Sequence, residues 1–328
     1  MSDQLRTIAR TMVGGGRGIL AADESITTMN KRLEKVGVEP SAENRLAYRE
    51  MLITTPGLSQ WISGVILSDD VFRGTLSDGR GFALATREVG LLPGIKVDTG
   101  AKPLANAPGE TITEGLDNLR SRMEEYASMG AAFTKWRAVI NIGDGQPTRR
   151  ATAANAHAMA RYAALAQEAG LVPIVEPEVL MDGDHSIERC AGVTETVLNT
   201  FFDQLAEQGI LLEGIVLKPN MVISAKGAPR QAGVEEVAAA TVTILRRTVP
   251  SAVPGIAFLS GGQGEELATA HLAAMNRLGP LPWELSFSFG RALVDPALNA
   301  WRGDSAQSSA GQSALAGRAS ANAMARAA

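Results

Sequence analysis

Eight short apolar runs, separated by turn residues and by longer mixed segments, constrain the fold of this 328-residue chain more than any other feature. Most of these runs are apolar on both faces, which is typical of parallel strands that are buried on both sides. They cover residues 18–23, 62–69, 92–98, 133–140, 171–178, 213–219, 255–262 and 283–289.

Helix-patterned segments lie between the apolar runs, and the connection 70–90 is so rich in turn residues that it predicts only a short helix. Eight alternations of strand and helix favour a closed TIM (β/α)8 barrel. An open doubly wound sheet usually has fewer strands and a glycine-rich first turn. The predicted helices are at about residues 25–53, 112–129, 149–169, 187–208, 234–248, 264–278 and 291–301.

The domain organisation is predicted to be simple. No linker-like composition interrupts residues 1–302, so we expect a single barrel domain there. Residues 303–328 consist largely of small side chains with little apolar surface to bury. For that reason we expect a mobile C-terminal tail.

Composition excludes several classes of function. The net charge of −4, from 31 basic and 35 acidic residues, provides no positive electrostatic potential that would attract nucleic acid. Cys190 is the single cysteine, and the three histidines are too far apart in sequence to predict a zinc site. The N-terminal residues have no apolar signal core, and no apolar run approaches the length of a membrane span. We expect a cytoplasmic protein without metal or cofactor that binds neither nucleic acid nor membranes.

Ionisable residues occur near the C-terminal ends of several predicted strands, which is where barrel enzymes place their catalytic groups. Residues two apart in a strand share a face, so these residues include two same-face pairs, Lys135 with Arg137 and Glu176 with Glu178. We therefore expect one charged site at the mouth of the barrel. The full set is Asp23, Lys96, Asp98, Lys135, Arg137, Glu176, Glu178 and Lys218.

The composition of that set indicates carbonyl chemistry. A lysine becomes a nucleophile when desolvation or an adjacent cation lowers its pKa, and several lysines around one mouth provide that arrangement. Neighbouring carboxylates supply the proton transfers that imine formation and hydrolysis require.

Two glycine-containing segments indicate phosphate binding. LSGGQGEE (259–266) puts Ser260, Gly261 and Gly262 just before a predicted helix, and SFSFGRA (286–292) brings Arg291 to a similar place after the last strand. Loops after strands seven and eight, and helix N-termini in general, are usual positions for phosphate in barrels of this kind.

At this point the residues match a known family. GRGILAADES (16–25), VPIVEPEVLMDGDH (172–185), LEGIVLKPNMV (212–222) and FLSGGQ (258–263) resemble segments of eukaryotic-type class I fructose-1,6-bisphosphate aldolases. The resemblance covers about residues 3–302. It implies a TIM barrel that reversibly cleaves fructose 1,6-bisphosphate in glycolysis and gluconeogenesis, without a cofactor, and a homo-oligomer that is often a tetramer.

The resemblance also implies roles for the catalytic residues. Lys218 would form the Schiff base with the ketose, and Glu176 would accept and donate protons in the imine steps. Asp23 would act at the C4 hydroxyl during cleavage of the C3–C4 bond. Lys135 would be the cation that activates Lys218 and polarises intermediates, and Glu178 would support this network.

Phosphate contacts are implied in the same way, with Arg137 beside the catalytic network. The resemblance assigns the C1 phosphate to Ser260, Gly261, Gly262, Ser288 and Arg291. It assigns the C6 end to Ser25, Arg32 and Lys96.

Some positions depart from the family pattern, and three alternatives stay open. Phe289 stands where tyrosine is common, and the chain ends in Arg326-Ala327-Ala328, whereas animal members end in a tyrosine. The alternatives are another Schiff-base enzyme such as a transaldolase or deoxy-sugar aldolase, a metal-dependent aldolase, and a catalytically silent scaffold protein.

Overall fold

A computed structural model describes residues 2–327, and its central feature is a closed barrel of eight parallel strands. The ten strands within these residues are β1 (Gly18–Ala22), β2 (Ile62–Leu67), β3 (Leu92–Lys96), β4 (Gly100–Pro103), β5 (Thr111–Glu114), β6 (Phe133–Ile140), β7 (Val172–Val179), β8 (Val216–Leu217), β9 (Gly255–Phe258) and β10 (Glu284–Phe289). β4 and β5 form a separate antiparallel hairpin, and the other eight follow one another around the barrel in chain order. The predicted single-domain TIM barrel is confirmed.

Helices surround the barrel. In chain order they are α1 (Ser2–Val13), α2 (Ile26–Lys35), α3 (Ala42–Ile53), α4 (Asp69–Phe72), α5 (Phe82–Glu88), α6 (Leu119–Ser128), α7 (Arg149–Glu168), α8 (Ile187–Glu207), α9 (Val234–Thr248), α10 (Glu265–Asn276), α11 (Arg291–Trp301) and α12 (Ser308–Met324). None of the helices between residues 2 and 327 is long and apolar enough to cross a membrane.

The barrel interior is apolar at its N-terminal end. Inward-facing side chains there form one buried cluster with α1, which contacts the starts of several strands and closes the floor. Phe133 fills the space beside Gly94, where an added Cβ would lie 2.1 Å from the Phe133 ring. The buried members of this cluster are Leu5, Ala9, Met12, Val13, Ile19, Ala21, Ile66, Ala132, Phe133, Val172, Ile174, Val216 and Ala257.

Along the strands, the inward-facing residues change from apolar at the N-terminal end of the barrel to charged at the C-terminal end. In β6, Phe133 lies in the floor cluster, whereas Lys135 and Arg137, two and four residues later, line the mouth. The same happens in β7, where Ile174 is followed by Glu176. Because the strands are parallel, their charged ends meet at one end of the barrel.

Two predicted helices differ from the structure. The segment 25–53 forms two helices rather than one, because Gly37 has a φ of +77° and Pro40 follows it, after which Ser41 caps α3 by accepting a hydrogen bond from Asn44 N. The predicted helix 112–129 begins only at Leu119. Its first residues belong to β5, which is rich in β-branched side chains and pairs with β4.

The C-terminal segment also differs from expectation. Residues 308–324 form α12, which packs against α11 and α3 and buries Leu315 and Ala319. Small residues make this possible because they permit close approach: a Cβ on Gly311 would lie 3.0 Å from Met51 Sδ and 3.1 Å from Trp301 Cβ. The expectation of little buried surface was wrong for this part, whereas mobility of residues 303–328 stays a prediction.

Candidate active site

A cavity of about 410 Å³ lies at the C-terminal mouth of the barrel, within the size range of small-molecule sites. Residues from β1, β3, β6, β7, β8, β9 and β10, or directly after them, line it. All the site residues expected from the sequence line this cavity except Gly262, which follows the lining residue Gly261 and lies next to Arg291. The structure therefore brings the predicted site together.

Four buried charges form a chain at the centre of the cavity. Lys135 Nζ lies 2.6 Å from Asp23 Oδ2 and 3.1 Å from Glu176 Oε2, and Lys218 Nζ lies 3.2 Å from Glu176 Oε1. All four residues are at most 9 % exposed. Carboxylate and amine side chains alternate along this chain, which offsets the high cost of burying isolated charges. Glu176 thus bridges the two lysines.

Electrostatics fix the protonation states of three of these groups. Burial raises the pKa of Asp23, but Lys135 and Lys218 outweigh it and lower the pKa to about 2. Burial also raises the pKa of Glu176, but the same two lysines outweigh it and lower this pKa. Burial lowers the pKa of Lys135, but Asp23 and Glu176 outweigh it, so that this pKa is raised. At neutral pH both carboxylates are therefore ionised and Lys135 is charged.

Glu176 is able to accept a proton. Its Oε2 atom is buried and, within residues 2–327, has no hydrogen-bond partner, since its contact with Lys135 is an ion pair without hydrogen-bond alignment. The other oxygen of this ionised carboxylate, Oε1, lies 3.2 Å from Lys218 Nζ, so Glu176 is suited to act as a general base towards that lysine.

A second set of charges lies at one side of the mouth. Glu178 is paired with Arg137, and Lys96 Nζ lies 2.6 Å from Asp98 Oδ1. Asp98 also accepts hydrogen bonds from the backbone N–H groups of Gly100 and Arg137. The sequence predicted Asp98 only as a charge at a strand end. The structure shows that it positions Lys96.

The loop after β9 has the geometry of an anion site. Gly261 and Gly262 have φ values of +59° and +86°, a conformation that glycine adopts without strain, directly before the N-terminus of α10. Opposite the loop, Ser288 Oγ is buried and has no hydrogen-bond partner among the described residues. Arg291, which is exposed, begins α11 at the same place.

The residues expected at the other phosphate end are already engaged. Ser25 caps α2 by accepting a hydrogen bond from Thr28 N. Arg32 is paired with Glu24 and with Asp295, the latter at 2.5 Å. Glu24 and Asp295 were not expected from the sequence. Asp295 lies 263 residues from its partner, so no local pattern could have indicated it.

Possible metal ligands are not grouped among the residues that the structure describes. Across residues 2–327, no three His, Cys, Asp or Glu side chains are arranged to hold a metal ion. His185 is buried, and both of its ring nitrogens lack hydrogen-bond partners within those residues.

Comparison with known proteins agrees with the geometry. The family model for class I fructose-bisphosphate aldolase matches residues 4–328. A probable class 1 fructose-bisphosphate aldolase of Xanthomonas campestris pv. campestris is 58% identical over 302 residues, covering 92% of this chain and 90% of its own. The cytosolic fructose-bisphosphate aldolase 5 of Arabidopsis thaliana is 52% identical, covering 92% of this chain and 84% of its own.

A solved structure is similar over almost the whole chain. It is the fructose-bisphosphate aldolase of Plasmodium falciparum in complex with TRAP and a small-molecule inhibitor, with a TM-score of 0.98 and 44% sequence identity, covering 99% of this chain and 94% of that one. This chain belongs to the class I fructose-bisphosphate aldolase family and is an aldehyde-lyase.

Proposed function

We propose that the protein cleaves fructose 1,6-bisphosphate to dihydroxyacetone phosphate and glyceraldehyde 3-phosphate, and forms it again, through a Schiff base on Lys218. One observation carries the proposal: the buried chain Asp23–Lys135–Glu176–Lys218 lies at the mouth of the barrel, beside a glycine loop suited to phosphate. Folding alone does not require four buried charges at that place, because burying them costs free energy.

The first step joins enzyme and substrate. The amine of Lys218 attacks C2 of the open-chain ketose, and a proton passes from the nitrogen through Glu176 Oε1, which lies 3.2 Å away, to the C2 oxygen, which becomes a hydroxyl. Glu176 then takes up a second proton from solvent and gives it to this hydroxyl, and water leaves to form an iminium ion. Glu176 can accept the first proton because its lowered pKa keeps it ionised in the free enzyme.

Cleavage uses the iminium as an electron sink. The electrons of the C3–C4 bond pass towards the iminium nitrogen and form an enamine, while the C4 hydroxyl loses its proton and becomes an aldehyde. Asp23, ionised and held at 2.6 Å by Lys135, orients that hydroxyl and receives the proton. Glyceraldehyde 3-phosphate leaves. Protonation and hydrolysis of the enamine release dihydroxyacetone phosphate, and the reverse steps form the bond.

The charges around the cavity divide into two phosphate ends in this proposal. The C1 phosphate binds at the loop Ser260–Gly262 with Ser288 and Arg291, where an unpartnered hydroxyl supports the assignment. The C6 phosphate binds near Ser25, Lys96 and Arg32. Because Arg32 is paired with Glu24 and Asp295, binding there requires the phosphate to share or replace those partners.

The similarity to known proteins supports proposals for the cellular location and the pathway of this enzyme. A cytosolic plant relative supports a cytoplasmic enzyme, and the family description as glycolytic supports a role in glycolysis and gluconeogenesis. We also propose a homo-oligomer, a tetramer by resemblance to the family.

Chemical trapping tests the mechanism. The protein is incubated with dihydroxyacetone phosphate and EDTA, reduced with borohydride and mapped by peptide mass spectrometry. We expect one stable adduct on Lys218, lost in Lys218→Met and retained in Lys102→Met, a change at an exposed lysine. An adduct on Lys96 or Lys135, or none, would contradict the proposal. Dependence on metal would indicate a metal-dependent aldolase, and equal activity on monophosphates would favour another Schiff-base enzyme.

A further inference from the structure

Lys226 lies beside the glycine loop and has no role in the mechanism above. Its backbone N–H donates to Met181 O at 2.9 Å, which fixes its segment against the loop after β7. A Cβ built on Gly262 would lie 3.5 Å from Lys226 Nζ and 3.0 Å from Arg291 Nη2. Two cations therefore approach the same glycine of the loop.

The ammonium of Lys226 is only partly neutralised. Its contact within the described residues is with Asp182 Oδ1 at 3.1 Å, and the two side chains are 50% and 66% exposed. Exposed ion pairs of this kind are weak. An ammonium group has three donors, and Asp182 occupies one of them, so Lys226 keeps donors for an anion at the loop.

The position of Lys226 on the rim distinguishes it from the buried groups. Lys135 and Lys218 are held among carboxylates inside the cavity, whereas Lys226 is not one of the cavity-lining residues and approaches the glycine loop from its outer side. A flexible cation on a rim attracts an approaching anion and adds a contact once it is bound.

We propose that Lys226 is a further substrate-binding residue that contacts the C1 phosphate of the ketose together with Arg291. This inference rests on the proposed function, because it takes the loop Ser260–Gly262 as the C1 phosphate site. It makes Lys226 a determinant of affinity for phosphorylated substrates and gives it no part in bond cleavage.

Substitutions test the role of the charge. Lys226→Gln should raise the KM for fructose 1,6-bisphosphate about three- to tenfold with little change in kcat, because a single rim contact is lost. Lys226→Arg keeps the charge and should restore most of the affinity. Arg230→Gln, which removes another exposed cation four residues later, is the matched control and should leave KM unchanged.

Asp182→Asn separates binding from a purely structural role. If the Lys226–Asp182 pair only stabilises the two loops, loss of either partner should have the same effect. If Lys226 binds phosphate, Asp182→Asn should leave KM unchanged or lower it, since a negative charge near the phosphate is removed. A rise in KM equal to that of Lys226→Gln would overturn the inference.

Trapping distinguishes failure of this inference from failure of the proposed function. If dihydroxyacetone phosphate leaves no Lys218 adduct in the unmodified protein, the proposed function itself is wrong. If the adduct forms but Lys226→Gln does not shift the concentration for half-maximal trapping, only the role of Lys226 is wrong. The ratio of activities on fructose 1,6-bisphosphate and fructose 1-phosphate should not change, since both carry the C1 phosphate, and a changed ratio would place Lys226 at the other end.

Discussion

Replacement of Lys135 by methionine probes the buried charge chain most directly. Methionine is apolar and similar in length, so the cavity stays filled while the cation disappears. Asp23 and Glu176 then lose the ammonium that lies 2.6 Å and 3.1 Å from them, and both carboxylates stay buried. Removing one partner of a buried ion pair typically costs about 3–5 kcal/mol, because the other charge is left uncompensated.

The pKa of Asp23 gives the dependence on pH. It is lowered from 3.8 to about 2 in the folded protein, which corresponds to roughly 2 kcal/mol of stability. A lowered carboxylate pKa stabilises the folded state above the unfolded pKa, and this contribution is lost as pH falls from near 3.8 towards about 2. The loss caused by Lys135→Met should therefore be full at pH 7 and smaller at pH 3.

Urea unfolding followed by the fluorescence of the four tryptophans measures this difference. Protein concentration is held constant, since assembly of subunits would shift the midpoints. Lys102→Met, at an exposed position in β4, serves as the control and should change the midpoint little. An equal loss at pH 7 and pH 3 would mean that packing rather than charge is responsible, and no loss at pH 7 would refute the reasoning.

Two further substitutions test single features of the structure. Ser288→Ala removes a buried hydroxyl that has no partner within the described residues, so the melting temperature should change little, whereas the KM for fructose 1,6-bisphosphate should rise about three- to tenfold; a lower melting temperature with unchanged KM would contradict a role in phosphate binding. Gly94→Ala places a Cβ 2.1 Å from the Phe133 ring and should cost about 1–3 kcal/mol or more in urea unfolding. Gly81→Ala, where nothing lies within 4 Å, should be nearly neutral, and similar losses at both glycines would argue against steric conflict.

The barrel and its central charges could be predicted because both depend on local patterns. Parallel strands bring their C-terminal ends together, so charged residues at the ends of apolar runs predict a shared mouth. Lys135 and Glu176 were identified in this way, and the structure places them 3.1 Å apart. Residue roles, in contrast, came from resemblance to a family.

Features that depend on pairing between distant segments could not be predicted. The β4–β5 hairpin is fixed partly by Thr113, whose N–H donates to Asn155 Oδ1 and whose hydroxyl donates to Arg137 O. Helix α12 depends on the close fit of Gly311 to Met51 and Trp301. Composition gave no indication of α12, because small residues are equally compatible with a loose chain and with tight packing. It gave none of the hairpin contacts either, because their partners lie far away in sequence.

The closed N-terminal end of the barrel affects where substrate enters and where products leave. Among residues 2–327, helix α1 and the apolar cluster around Phe133 pack across the N-terminal end of the interior, so a sugar that enters or a fragment that departs along the barrel axis passes through the mouth. In the proposed reaction one fragment stays covalently attached to Lys218 while the other is free. Both fragments share that single mouth, and the free aldehyde can leave through it while the ketone is still attached.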